Sequence, residues 1–212
     1  MQIIFYIRTS MKGNVRAFEG KNMAESIRSF IAFDLENPVV LKKIAEAQAV
    51  LLKTQADLKA VEPQNIHLTL RFLGNISQVM VDKVHEGMKK VQFITFNVQL
   101  RGLGAFPDLK YPRVCWAGIT EGADQLRGIF NQLEPNLRAL GFAPDSKGFS
   151  PHLTIARVRS ARNRAELAQC LRENAAYDFG QITASCLRLK KSDLTPRGPI
   201  YSTLREVGPQ KQ

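Results

Sequence analysis

The stretch HLTL, residues 67–70, returns as HLTI at residues 152–155, a spacing of 85 (152 − 67). The chain has 3 histidines, and two of them head these copies. In an extended strand side chains alternate faces, so His67 and Thr69 share one face while Leu68 and Leu70 share the other. His152 and Thr154 divide in the same way from Leu153 and Ile155. Each copy can seat two aliphatic side chains in a core and present an imidazole and a hydroxyl opposite. A lone strand histidine is more often a hydrogen-bonded structural residue than a catalyst. The pair reads differently, because after a histidine the rest of the tetrapeptide arises by chance on the order of once in a thousand at average usage.

The punctuation around the copies repeats too. IRSFIAFDL (27–35) reads as a strand. Asn37-Pro38 then caps and opens a helix to about residue 52. A loop at 62–65 leads to the strand IHLTLRFLG (66–74), a helix capped by Ser77 to about residue 91, and the strand ITFNVQLRGL (94–103). In the second half RVCWAGI (113–119) is a strand, followed by a helix from about 124 to 140 that Pro135 is expected to disturb. PHLTIARVR (151–159) is a strand, NRAELAQCLREN (163–174) a helix, QITASCLRLKK (181–191) one strand and PIYSTLREV (199–207) another. Strand, helix, HLT strand, helix, strand occurs twice, as an internal duplication would leave it. The expected organisation is one bilobal domain over 25–208, with lobes of about 25–106 and 113–207. If the lobes face one another, two histidines and two threonines converge on one cleft.

Composition narrows the partners. The net charge is +11, and of this the segment 153–205 supplies six, with ten Arg or Lys against four acids. Such an excess favours polyanions, above all nucleic acid. Hydrophobic residues make up 44%, but no apolar run approaches the roughly 18–20 residues of a membrane span. The 3 cysteines, Cys115, Cys170 and Cys186, are odd in number and never in CxxC spacing. That argues against a disulfide framework or a zinc knuckle and for a reducing, cytoplasmic setting. Cys115 and Cys186 read as small buried hydrophobes. No metal site and no cofactor are expected, and no GxxxxGK[ST] string points to ATP. Residues 1–24 are expected to be disordered, or to reflect a start assigned too far upstream of Met23.

Two histidines with two threonines suit phosphodiester chemistry. A neutral imidazole takes a proton from an attacking water while an imidazolium protonates the leaving oxygen. The hydroxyls donate to non-bridging phosphate oxygens, and a nearby guanidinium adds charge-assisted bonds. His85 has no Thr two residues on and no twin, so it serves as the control.

The paired H-x-T-x motifs, with IHLTLRFLG, PHLTIAR, LTPRGPIY and RSFIAFDL around them, resemble the 2H phosphoesterase superfamily and its RNA 2′,3′-cyclic phosphodiesterase (2′-5′ RNA ligase) branch. The resemblance covers about 27–207. It implies an α+β fold of two pseudo-symmetric antiparallel sheets flanking a central cleft, with helices outside. It implies hydrolysis of a terminal 2′,3′-cyclic phosphate to a 2′-phosphomonoester, with His67 as proton donor, His152 as proton acceptor, and Thr69, Thr154 and Arg157 on the phosphate. The expected substrate is RNA with such an end, transfer-RNA fragments being one candidate, and monomer is the default. Reverse ligation as a 2′-5′ linkage, or a non-catalytic RNA-binding module of the same fold, are the alternatives. Arg157 poses a puzzle: five residues from His152 is odd, so a regular strand turns it away unless it ends or bulges there. Arg71, four after His67, has the matching parity but reads equally as a solvated strand-end charge, and it is not counted in the site.

Overall fold

The computed structural model describes residues 26–145, 148–196 and 198–210, so the expectation for residues 1–24 lies outside the described residues. Nine strands and four helices run in the order β1 (Ile27–Asp34), α1 (Pro38–Leu52), β2 (Leu58–Ala60), β3 (His67–Ile76), α2 (Gln78–Lys89), β4 (Phe96–Phe106), β5 (Val114–Glu121), α3 (Ala123–Ala139), β6 (His152–Val158), α4 (Arg164–Glu173), β7 (Asp178–Ala184), β8 (Leu187–Thr195) and β9 (Gly198–Val207) among the described residues. The caps follow the sequence. Asn37 Oδ1 accepts from the Val39 and Val40 amides at 3.0 and 3.3 Å, with Pro38 in the first turn. Ser77 Oγ accepts from the Met80 amide at 3.3 Å.

The strands form two antiparallel sheets, ordered β3-β1-β8-β9 and β2-β6-β5-β4-β7. Within each, the strand carrying HLT pairs with the first strand of its own half, β3 with β1 and β6 with β5. The third strand is exchanged: β4 joins the sheet of the second half, and β8 returns to pair with β1. The expected boundary between 106 and 113 therefore does not divide the sheets, because each is built from both halves. Helix α2 packs on β9 of the first sheet and on α3, α3 meets β3 and β5, one strand of each sheet, and α1 and α4 cover the second sheet. No helix among the described residues is long and apolar enough to cross a membrane.

Two expectations fail for definable reasons. The single strand at 181–191 is two strands in different sheets. Ile182 and Ala184 are buried at even positions, Leu187 and Leu189 at odd ones, so the inward face changes at Ser185-Cys186, where the chain crosses over. Pro135 does not break α3. It is exposed, while Leu126, Ile129, Phe130, Leu133 and Leu137 form a buried stripe spanning both sides of it. Packing of that stripe outweighs one lost hydrogen bond on the solvent side.

Candidate active site

Each histidine opens its strand, and both are held alike. His67 Nδ1 lies 2.7 Å from the carbonyl oxygen of Asn65, and His152 Nδ1 lies 2.7 Å from that of Ser150. A carbonyl only accepts, so Nδ1 carries the hydrogen in both rings. The Nε2 atoms are left as working nitrogens, acceptors when neutral and donors when protonated. Leu68, Leu70, Leu153 and Ile155 are buried, as the alternation predicts. Among the described residues the hydroxyls of Thr69 and Thr154 have no side-chain hydrogen bond, so both can donate to a ligand.

The Arg157 puzzle resolves in β6. Its register to β5 runs Trp116 opposite Thr154, then Cys115 opposite Ala156, leaving Ile155 as an extra residue. This bulge buries two consecutive residues, Ile155 and Ala156, and inverts the parity beyond them. Arg157 thereby returns to the face of His152 and Thr154, where it is exposed. β3 repeats the device: Ala32 opposes Thr69 and Ile31 opposes Arg71, with Leu70 extra. Inversion there turns Arg71 off the site face. Its Nε donates to Glu134 of α3 at 2.6 Å, and its other nitrogens to the Phe72 carbonyl at 3.0 Å and the Ala143 carbonyl at 2.5 Å. The place matching Arg157 is taken by Phe72, 60% exposed.

Strand order brings other groups to His67. Asp34 is its register partner on β1, and Lys190 of β8 reaches Asp34 Oδ2 at 2.6 Å, with Arg188 at 3.2 Å. The rings of Phe30 and Tyr201 lie 4.7 and 5.1 Å from the imidazole between centroids. Burial pulls the His67 pKa below its usual value, and Lys190 and Arg157 add to that pull. The Asn65 carbonyl and Asp34 act the other way. Arg157, on the second sheet, is thus electrically felt by His67 on the first, consistent with the approach of β3 to β6. His152 is also lowered by burial, opposed by the Ser150 carbonyl. Its ring meets Phe106 at 4.8 Å and its register partner is Gly118. Beside it, Trp116 lies across Gly104, where a Cβ would fall 2.2 Å from the indole. Sequence reasoning missed Phe30, Phe106, Lys190 and Tyr201, since each reaches the site through strand pairing rather than through a motif.

His85 lies on α2, with Nε2 3.2 Å from the Glu206 carbonyl, apart from this constellation. Cys115 is buried and its thiol is pushed up to about 12 by desolvation. Cys186 departs from expectation: it is half-buried, its Sγ 3.6 Å from a Glu206 carboxylate oxygen, at the crossover between sheets. Among the described residues no group of three or more His, Cys, Asp or Glu side chains is placed to hold a metal ion.

A family model described as LigT-like phosphoesterase matches this chain twice, over residues 35–116 and 118–201, one match per histidine motif. The chain belongs to that family. It is 41% identical over 165 residues to a protein of Aeropyrum pernix named RNA 2′,3′-cyclic phosphodiesterase, covering 78% of this chain and 94% of the relative. It is 36% identical over 185 residues to one of the same name from Archaeoglobus fulgidus, covering 84% and 98%. A crystal structure of TT0787 from Thermus thermophilus superposes with a TM-score of 0.70 at 26% identity, covering 86% of this chain and 97% of that one. The family and the α+β architecture expected from the paired motifs are borne out.

Proposed function

We propose that this protein is an RNA 2′,3′-cyclic phosphodiesterase that hydrolyses the terminal cyclic phosphate by two-histidine acid–base catalysis. The observation that carries this reading is the matched pair of histidines, each with Nδ1 fixed by the carbonyl two residues earlier and Nε2 left to move a proton. Neutral His152 accepts a proton from water as its oxygen attacks phosphorus. Protonated His67 gives its proton to the ribose oxygen as the P–O bond breaks, leaving a 2′-phosphomonoester and a free 3′-hydroxyl. Thr69 and Thr154 donate to the non-bridging oxygens, and Arg157 balances charge that builds in the transition state. A dianionic transition state also favours the imidazolium of His67, offsetting the burial that lowers its pKa in the free enzyme.

The aromatic rings beside His67, with Phe72 further along β3, offer a stacking surface for the terminal base. The net charge of +11 suits an RNA chain running away from the site, bound with marked salt dependence. Transfer-RNA fragments in the cytoplasm are one substrate of that chemistry, and a monomer suffices for it. With a 5′-hydroxyl in place of water, the same proton transfers in the same direction would join the cyclic end to it as a 2′-5′ linkage and free the 3′-hydroxyl.

The test is chelator-treated protein with a 2′,3′-cyclic-phosphate oligonucleotide, with and without a 5′-hydroxyl partner. Hydrolysis to the 2′-phosphate is expected to survive chelation. Replacing either histidine by alanine should abolish it while RNA binding persists. Turnover that survives both replacements refutes the mechanism.

A further inference from the structure

The bulge that aims Arg157 is itself held from outside the site. At Ile155 the carbonyl oxygen accepts the Val61 amide at 2.9 Å and the side-chain Nε2 of Gln48 at 2.8 Å. The same Nε2 gives its second hydrogen to the Val61 carbonyl at 2.9 Å, so both donors of the amide are used. Gln48 sits in the buried face of α1 and is 8% exposed, one of few polar side chains in the core. It stands where the β2–β6 ladder ends, just past the Ala60–Ala156 pair, and bridges the two strands as they part. An aliphatic side chain would fill this place on an apolar helix face without burying an amide, and both of the amide's bonds go to the strands at the point where they part. What the amide supplies is a clamp that ties the extra residue of β6, Ile155, to Val61.

We infer that Gln48 is a positioning residue for Arg157: by clamping the bulged Ile155 carbonyl it keeps β6 in the parity that presents the guanidinium to the substrate phosphate. This rests on the phosphate-binding reading of Arg157 above. Without the clamp, Ile155 can slip into the regular ladder with β5, and a one-residue slip turns Arg157 away from the face of His152. The first half offers a contrast. β3 carries the same bulge as an edge strand, and the residue it aims, Phe72, brings no charge to a phosphate.

The experiment is a double-mutant cycle on the full chain, with cyclic-phosphate hydrolysis and thermal unfolding measured for each protein. Arg157→Ala should lower kcat about 100-fold, as removal of one oxyanion-stabilising donor does. Gln48→Met should lower it about tenfold, and the two together should fall within about twofold of Arg157→Ala alone. Gln48→Glu, kept protonated by burial and retaining one donor, should lie between wild type and Gln48→Met; it carries the cycle if the methionine variant does not fold. Losses that multiply in the double variant, or a Gln48 variant with wild-type kcat and a lowered melting temperature, overturn the inference. Full activity of Arg157→Ala by itself overturns instead the reading on which the inference rests, and shows before Gln48 is altered.

Discussion

The two HLT strands are built to one plan and dressed differently. Both begin with a histidine bonded through Nδ1 to a carbonyl at 2.7 Å, bury the next aliphatic residue and bulge three residues after the ring. In β3 the bulge presents Phe72 and hides Arg71 against Glu134; in β6 it presents Arg157. Around His67 stand Asp34, Lys190, Phe30 and Tyr201. Around His152 stand Phe106 and the bare backbone of Gly118. In the proposed mechanism the matched histidines are a symmetric pair of proton carriers, and the side chains around them make the two unequal. The half rich in charge and rings can set a protonation state and hold a base. The other half, with its guanidinium, suits water and phosphate.

That division can be attacked most directly at the rings. Replacement of His67 or His152 by alanine should each lower kcat by about 10²–10⁴ with the fold retained, measured on a cyclic-phosphate oligonucleotide alongside circular dichroism. A large loss from one and none from the other would mean that the symmetry is only structural. The next effect is at the matched fifth positions. Arg157→Phe should cost about 100-fold in kcat. Phe72→Ala should raise KM about tenfold and leave kcat nearly intact, since base stacking is worth about 1–3 kcal/mol. A kcat loss at Phe72 as deep as at Arg157 would erase the distinction between the halves.

Much of this site was legible in the chain, and the illegible part has a physical cause. His67, Thr69, His152 and Thr154 could be assigned to one face because strand parity is local. Arg157 could be placed there only by family resemblance, since the bulge that reverses parity depends on pairing with Cys115 and Trp116 some forty residues earlier. The same blind spot made Arg71 look suitable when it is bound to Glu134. Strand exchange hid Lys190 and Tyr201, whose approach to His67 follows from β8 and β9 joining the first sheet. The break at Ser185-Cys186 was readable, for the buried positions change from even to odd there.

The pH profile tests the inequality more finely. Both histidines are held below their ordinary pKa, chiefly by burial. The proposed mechanism needs His152 neutral and His67 protonated, so kcat/KM should rise with pH through one and fall through the other. Because kcat/KM reports the free enzyme, its maximum should lie on the acid side of 6.5, the ordinary histidine value. In kcat the falling limb should move to higher pH, as bound phosphate stabilises the imidazolium. A kcat/KM plateau extending past neutrality would show that the imidazoles are not desolvated in solution.

The smallest expected effect is also the most specific to one half. Lys190 is paired with Asp34 at 2.6 Å, its side chain 10% exposed, and both charges are felt by His67. Lys190→Met removes a cation and leaves Asp34 to Arg188, so His67 should hold its proton to higher pH and the falling limb should move upward. Asp34→Asn removes the anion and leaves Lys190 unopposed, so the same limb should move downward. Each should cost stability on the order of 2 kcal/mol, less than for a wholly isolated buried charge because Arg188 and solvent still reach the pair. The rising limb, which belongs to His152, should stay in place in both variants. If instead both limbs move together, or the two substitutions shift the falling limb in the same direction, the pair is not acting on His67 and the electrical asymmetry of the halves has another source.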